Sequence, residues 1–252
     1  MKRKWKIILA VSLLGNLAVF YVAMKALEYR AHINEFLDKY TYVVDEFSRR
    51  DVYREANTAL QADSLVPGRI VFLGSQLVRD WPLAEHFPNY EVINRGVFGQ
   101  RFGGFLLRFY PDVIELAPEY VVIELSSYNF RPQNEMDEFF DYTITMVELA
   151  QCRQMRPIPA TVIPPCRDSV DLGDYHLIDS LRAYNNRLRR YCRGHGINLA
   201  DFNRSLSDTD GYLKTEFAQG PIDLNDDGYA QISKTLRLIV DNKNAESKEI
   251  LD

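Results

Sequence analysis

The chain has 252 residues, 46% hydrophobic and 26% charged, a composition suited to a globular protein with one good-sized core. Its net charge of -5 supplies no basic surface on which a nucleic-acid backbone would settle, which argues against such a partner. No internal repeat or low-complexity tract interrupts the sequence.

At the N-terminus, Lys2, Arg3, Lys4 and Lys6 precede an apolar run over 7–24 broken only by Ser12, Gly15 and Asn16. At about 1.5 Å per residue such a helix approaches the roughly 30 Å hydrocarbon core of a bilayer. The basic flank belongs on the cytoplasmic side, which puts the rest of the chain outside the cytoplasmic membrane, periplasmic or extracellular. The exit VAMKALEYRA lacks an A-x-A cleavage pattern, so a retained single-pass anchor over 1–28 is expected rather than a cleaved signal. Tyr29, Ile33, Leu37, Tyr40, Val44 and Phe47 then recur near helical spacing among charges. They predict an amphipathic stalk helix over 29–66, ended by Pro67 and Gly68.

From Arg69 onward short apolar runs alternate with longer helical patterns. Strands are expected over 70–73, 91–94, 120–125, 160–163 and 198–202, and helices over 102–116, 135–154, 178–193 and 229–242. The alternation predicts an α/β domain over 67–242 and a polar tail over 243–252. The domain would be a three-layer α/β/α sandwich on a mainly parallel five-stranded sheet, flavodoxin-like in type. Ligands of such sheets sit at the carboxyl ends of the strands.

Residues with metal or redox chemistry are sparse. Of the four histidines, His32 lies in the stalk and His86 and His195 in turns, while His176 follows the loop that leaves the fourth strand. The run from Asp223 to Gly228 matches the start of a calcium loop, but the twelfth position, which needs a bidentate acid, is Lys234. No H-E-x-x-H or clustered His/Cys spacing occurs, and neither a metal nor a cofactor is expected. Three cysteines, Cys152, Cys166 and Cys192, leave at least one unpaired thiol in a monomer. Pairing of Cys152 with Cys192 and free buried thiols are both open.

Four segments carry the strongest pattern: VFLGSQLVRDW over 71–81, NRGVFG over 94–99, PEYVVIELSSYNF over 118–130 and GPIDLNDDGY over 220–229. In order and spacing they resemble the SGNH (GDSL-type) hydrolases, three-layer α/β/α esterases and acylhydrolases. The blocks of that family read approximately VFLGDSxTxGW, NxGxxG, PDxVxxxxGxND and DGxHLNxxGY. Residues 183–213 also resemble its penultimate helix, strand and loop, so the resemblance covers about 69–240.

The resemblance implies ester hydrolysis by a serine and a histidine, yet those positions are substituted. The serine falls on Gln76 and the preceding aspartate on Ser75; the histidine falls on Asp223 and its orienting aspartate on Gly220. The third-block asparagine falls on Tyr128, with Asn129 adjacent, and the first oxyanion glycine is kept as Gly96. Glutamine cannot attack an ester, and a carboxylate of ordinary pKa, about 3.9, is a poor base at neutral pH. The leading expectation is a catalytically impaired relative that binds an acylated or glycan ligand, or a protein partner, through the former esterase cleft. Gln76, Asn94, Gly96, Gln100, Tyr128, Asn129 and Asp223 would line it. The competing expectation is an active ester hydrolase or acyl-transfer enzyme with Ser75 as nucleophile, Gly96 N–H and Asn129 as oxyanion donors, and His176 or Asp223 as base. A third is an envelope scaffold assembled with protein partners through anchor and stalk.

Overall fold

The computed structural model describes residues 3–41, 47–125, 136–167 and 177–249, and the chain divides into two compact units, 1–47 and 48–252. In the first unit one helix, α1 (Arg3–Thr41), carries the apolar run and the charged stretch after it without a break. No proline falls within it, and the pairs Lys25–Glu28 and Glu35–Lys39 stand at helical spacing on its exposed surface. Its most apolar window has a mean hydropathy of 2.3 and is not buried, so α1 is long and apolar enough to cross a membrane. Signal sequences share that property.

The second unit opens with α2 (Arg54–Leu60) and contains a four-stranded parallel sheet in the order β2-β1-β3-β4. Its strands are β1 (Val66–Gly74), β2 (Glu91–Gly96), β3 (Pro118–Ile123) and β4 (Arg156–Pro159). Side chains alternate across the sheet with the period of two that a pleated strand imposes. Val71, Leu73, Val121 and Ile123 face one core, shared with α5 (Phe102–Asp112), α6 (Met136–Cys152) and α7 (Leu177–His195). Ile70, Phe72, Tyr120 and Val122 face the other. That second core is closed by α3 (Gln76–Arg79), α4 (Leu83–His86), α8 (Phe202–Leu206) and α9 (Asp226–Glu249). The α/β/α expectation therefore holds, and the sheet sits between two separate apolar layers.

Two details of the expected sheet are corrected. The fourth strand lies at Arg156–Pro159, before the expected 160–163, and the expected fifth strand is reduced to one bridge between Ala160 and Ala200. The prolines explain both. Ala200 N–H donates to Pro159 O and Thr161 N–H to Ala200 O, so Pro157 and Pro159 face the chain at 198–202. Neither has an N–H to give, and the ladder cannot continue toward Asn198.

Beneath the carboxyl ends of β1 and β2 lies a buried polar network. Arg108 on α5 pairs with Asp112 one turn later, both side chains fully buried, and its Nη2 donates to Arg95 O at 2.8 Å. Asn57 of α2 donates to Asp112 Oδ1 at 2.6 Å and accepts from Arg95 Nε at 2.8 Å, tying α2 to the sheet. Tyr53 lies under the Arg95 guanidinium, 4.6 Å from ring centroid to cation, and its hydroxyl donates to Gly96 O at 2.6 Å. One carboxylate thus serves two buried cations, so removing it leaves both uncompensated. Asp112→Ala should lower the unfolding free energy by about 3–5 kcal/mol in urea titrations of the full-length protein in detergent. A loss under about 1 kcal/mol would show that the network adds little to stability.

Candidate functional site

The turn from β1 into α3 places the first block of the sequence pattern at the carboxyl edge of the sheet. Ser75 occupies the N-cap of α3: its Oγ accepts from Leu77 N–H at 3.3 Å and donates to Glu124 Oε2 at 2.8 Å. Ser75 N–H donates to the same carboxylate oxygen, also at 2.8 Å. Glu124 follows β3 directly, and both groups are closed off, Ser75 4% and Glu124 2% exposed. Burial pushes the Glu124 carboxyl up to about 7, against the two Ser75 hydrogen bonds, which favour its charged form. Its second oxygen, Oε1, has no hydrogen-bond partner among the described residues. The preceding Gly74 makes room: a Cβ there would lie 2.7 Å from Glu124 Oε2 and 2.4 Å from Val78 Cγ2.

Asn94 and Gly96, at the end of β2, hold α3 from the other side. Asn94 Nδ2 donates to Val78 O at 2.6 Å, and its Oδ1 accepts the Gly96 N–H at 2.9 Å. A Cβ on Gly96 would come within 2.1 Å of Arg79 N, a backbone atom that cannot swing aside, so only glycine fits. The Gly96 N–H is therefore engaged by Asn94 rather than free to meet an oxyanion. Gln100 is buried, with a long 3.5 Å contact from its amide to Arg101 O.

Gln76 and Asp223, which the pattern places where the nucleophile and base would stand, meet across 147 positions of sequence. Gln76 Nε2 donates to Asp223 Oδ1 at 3.2 Å, and both residues are half-buried. A Cβ on Gly220 would lie 2.9 Å from Asp223 Oδ2. The rest of the last block is structural: Asn225 Oδ1 accepts Gly228 N–H at the start of α9, and Tyr229 Oη donates to Leu77 O at 3.1 Å. Trp81 Nε1 donates to Ser233 Oγ at 2.9 Å, inside an aromatic group with Phe72, Phe202 and Tyr229. Tyr128, Asn129 and His176 lie outside the described residues. All three cysteines are free thiols, and Cys166 Sγ donates to Gly220 O at 3.1 Å.

Glu124 is the residue that the sequence pattern did not single out. Its signal was present: one acid within the otherwise apolar YVVIEL that ends a buried parallel strand.

With this geometry in view, known proteins supply the family. A profile of the GDSL-like Lipase/Acylhydrolase family matches residues 63–231. The chain belongs to that family. Solved structures share its fold. A protein of Bacteroides fragilis assigned as an acylhydrolase is 23% identical with a TM-score of 0.69, over 78% of this chain and 98% of its own. A GDSL-like lipase from Bacteroides thetaiotaomicron is 23% identical with a TM-score of 0.68, over 78% of this chain and 99% of its own. A catalytic mutant of an acetylxylan esterase from Geobacillus stearothermophilus is 12% identical with a TM-score of 0.54, over 69% of this chain and 94% of its own. No curated protein matches the chain.

In this member of the GDSL-like family the buried carboxyl at Glu124 makes stability depend on pH. Its folded-state pKa, about 7, exceeds the ordinary 4.5, so the native state holds the proton more tightly than the unfolded chain. That contribution is complete below about pH 4.5 and is lost as pH rises through about 7, on the order of 3 kcal/mol in all. Glu124→Gln should flatten the fall in unfolding free energy between pH 5 and 8, read by urea titration at each pH. An unchanged slope in the variant would mean that Glu124 is ionised throughout.

Proposed function

We propose that the chain is a membrane-anchored member of the GDSL-like family that has given up ester hydrolysis and uses the former cleft to bind. The ligand class is an acylated or glycan molecule, or a protein partner. The observation that carries this is the Gln76–Asp223 hydrogen bond, in which an amide and a carboxylate stand at the positions of nucleophile and base. Neither can supply the attacking oxygen and its proton acceptor. Gly96, the retained glycine of the second block, has its N–H on Asn94 Oδ1 in this structure. A half-buried amide and carboxylate side by side are instead hydrogen-bonding groups for a polar ligand. The basic residues before the apolar part of α1 support an anchor with its N-terminus inside and the 48–252 unit outside, the charged remainder of α1 serving as a stalk.

One observation favours a second reading. The Ser75 hydroxyl lies 2.8 Å from a carboxyl whose pKa is about 7, the pairing a general base requires. Burial of both groups weighs against it. The full-length protein in detergent should hydrolyse p-nitrophenyl acetate no faster than its Ser75→Ala variant. It should bind acetylated xylo-oligosaccharide by calorimetry, about tenfold more weakly after Gln76→Ala, which removes one hydrogen-bonding group worth about 1.4 kcal/mol. Turnover that vanishes with Ser75 would overturn the binding reading and establish the enzyme.

A further inference from the structure

A cleft of about 700 Å³ opens between the end of α7, the segment 197–201 and α8, and shares no lining residue with the Ser75–Asp223 group. It lies at the sheet edge, where the chain pairs inward only through Ala200. Its size falls within the roughly 300–1,000 Å³ of small-molecule sites.

The charges lining it do not cancel. Arg189 grips Asp201 with two bonds, Nε to Oδ2 at 2.8 Å and Nη2 to Oδ1 at 2.7 Å. Asp208 is also spent: Oδ1 accepts three successive backbone N–H groups, from Asp210, Gly211 and Tyr212, and Oδ2 accepts from Arg167 at 2.9 Å. Both acids of the cleft are thereby satisfied. Arg193 and Arg204 remain, both exposed and both lining the cleft, with no side-chain hydrogen bond or ion pair among the described residues. The floor adds no opposing charge, since Ile197 is apolar and burial pushes the Cys192 thiol up to about 11, leaving it protonated. In a chain of net charge -5, two unmatched guanidinium groups on one concave surface are a local reversal of sign.

We infer that this cleft binds a phosphate group between Arg193 and Arg204. Each guanidinium presents a planar fork that fits a pair of oxygens. A single carboxylate fills one such fork, whereas a phosphate offers three terminal oxygens and close to two charges, enough for both. The rest of the cleft, floored by Ile197 and Leu199, leaves volume for the organic part of a phosphomonoester, whether a free metabolite or a lipid.

The test is calorimetric, on the full-length protein in nonionic detergent micelles at fixed ionic strength. One arm titrates inorganic phosphate, and a second titrates micelles doped with phosphatidic acid, a lipid phosphomonoester. Wild type should bind inorganic phosphate saturably with a Kd near or below about 1 mM, and Arg193→Gln/Arg204→Gln should weaken it at least tenfold. Both substituted side chains are exposed and unpaired, so the fold should persist, checked by an unchanged melting temperature. Arg190→Gln, an exposed cation on α7 outside the cleft lining, should bind as wild type does. Binding only in the phosphatidic-acid arm, still dependent on the two arginines, would support the phosphate site and assign it to lipid phosphomonoesters. No binding in either arm, equal binding by the double variant, or an equal loss in Arg190→Gln would overturn the proposal.

Discussion

The short helix α3 rests directly on the backbone of β2, so closely that position 96 admits no side chain at all. Everything at the carboxyl edge follows from that approach. Asn94 reaches across to hold Val78 O and Arg79 O, and the same side chain takes up the Gly96 N–H. The first turn of α3 is thus pinned from below, its start at Ser75 is fixed, and Gln76 is left to face the last block. Trp81 completes the attachment by binding Ser233 on α9 within its aromatic group. The Gln76–Asp223 contact is therefore held by two rigid supports, α3 on one side and the start of α9 on the other.

Below this edge the domain holds charges that water would otherwise solvate. Arg108, Asp112 and Arg95 are matched by geometry and by Asn57, which uses both ends of its amide. Burial depresses the pKa of both arginines, with Asp112 opposing that shift. Glu124 is treated differently: among the described residues its carboxyl accepts hydrogen bonds from Ser75 alone, and burial raises its pKa to about 7. The two environments show the same rule with opposite outcomes. A buried ion is kept where a counter-ion and hydrogen bonds surround it, and gives up its charge where they do not.

The apolar runs made β1, β2 and β3 legible, because a buried parallel strand is a continuous hydrophobic segment bounded by turns. The same logic displaced β4. The apolar stretch at 160–163 is a more strand-like run than the Arg-Pro-Ile-Pro that pairs with β3. Gln76 and Asp223 were legible by block order, and their contact follows from the fold. The engagement of Gly96 N–H by Asn94 was not, since it depends on how the Asn94 side chain turns against α3 and not on residue type alone. Nor was the role of Tyr53 and Asn57, which lie within the stretch expected as a stalk while their polar ends reach residues tens of positions away. Glu124 stood in plain view as a lone acid among apolar neighbours. The family pattern marks instead its asparagine position, at Tyr128 and the adjacent Asn129 in the same block.

The prolines of β4 have a further meaning for the exposed side of the sheet. An open sheet edge invites strands from other molecules, because rows of unsatisfied N–H and C=O groups act as a template. On the side facing 198–202, Pro157 and Pro159 present carbonyl oxygens and no donors. An incoming strand would find only half of each ladder rung. The edge that cannot complete its own fifth strand is for the same reason a poor seed for aggregation or strand exchange, and the domain keeps it so with residues that cost the remaining three strands nothing.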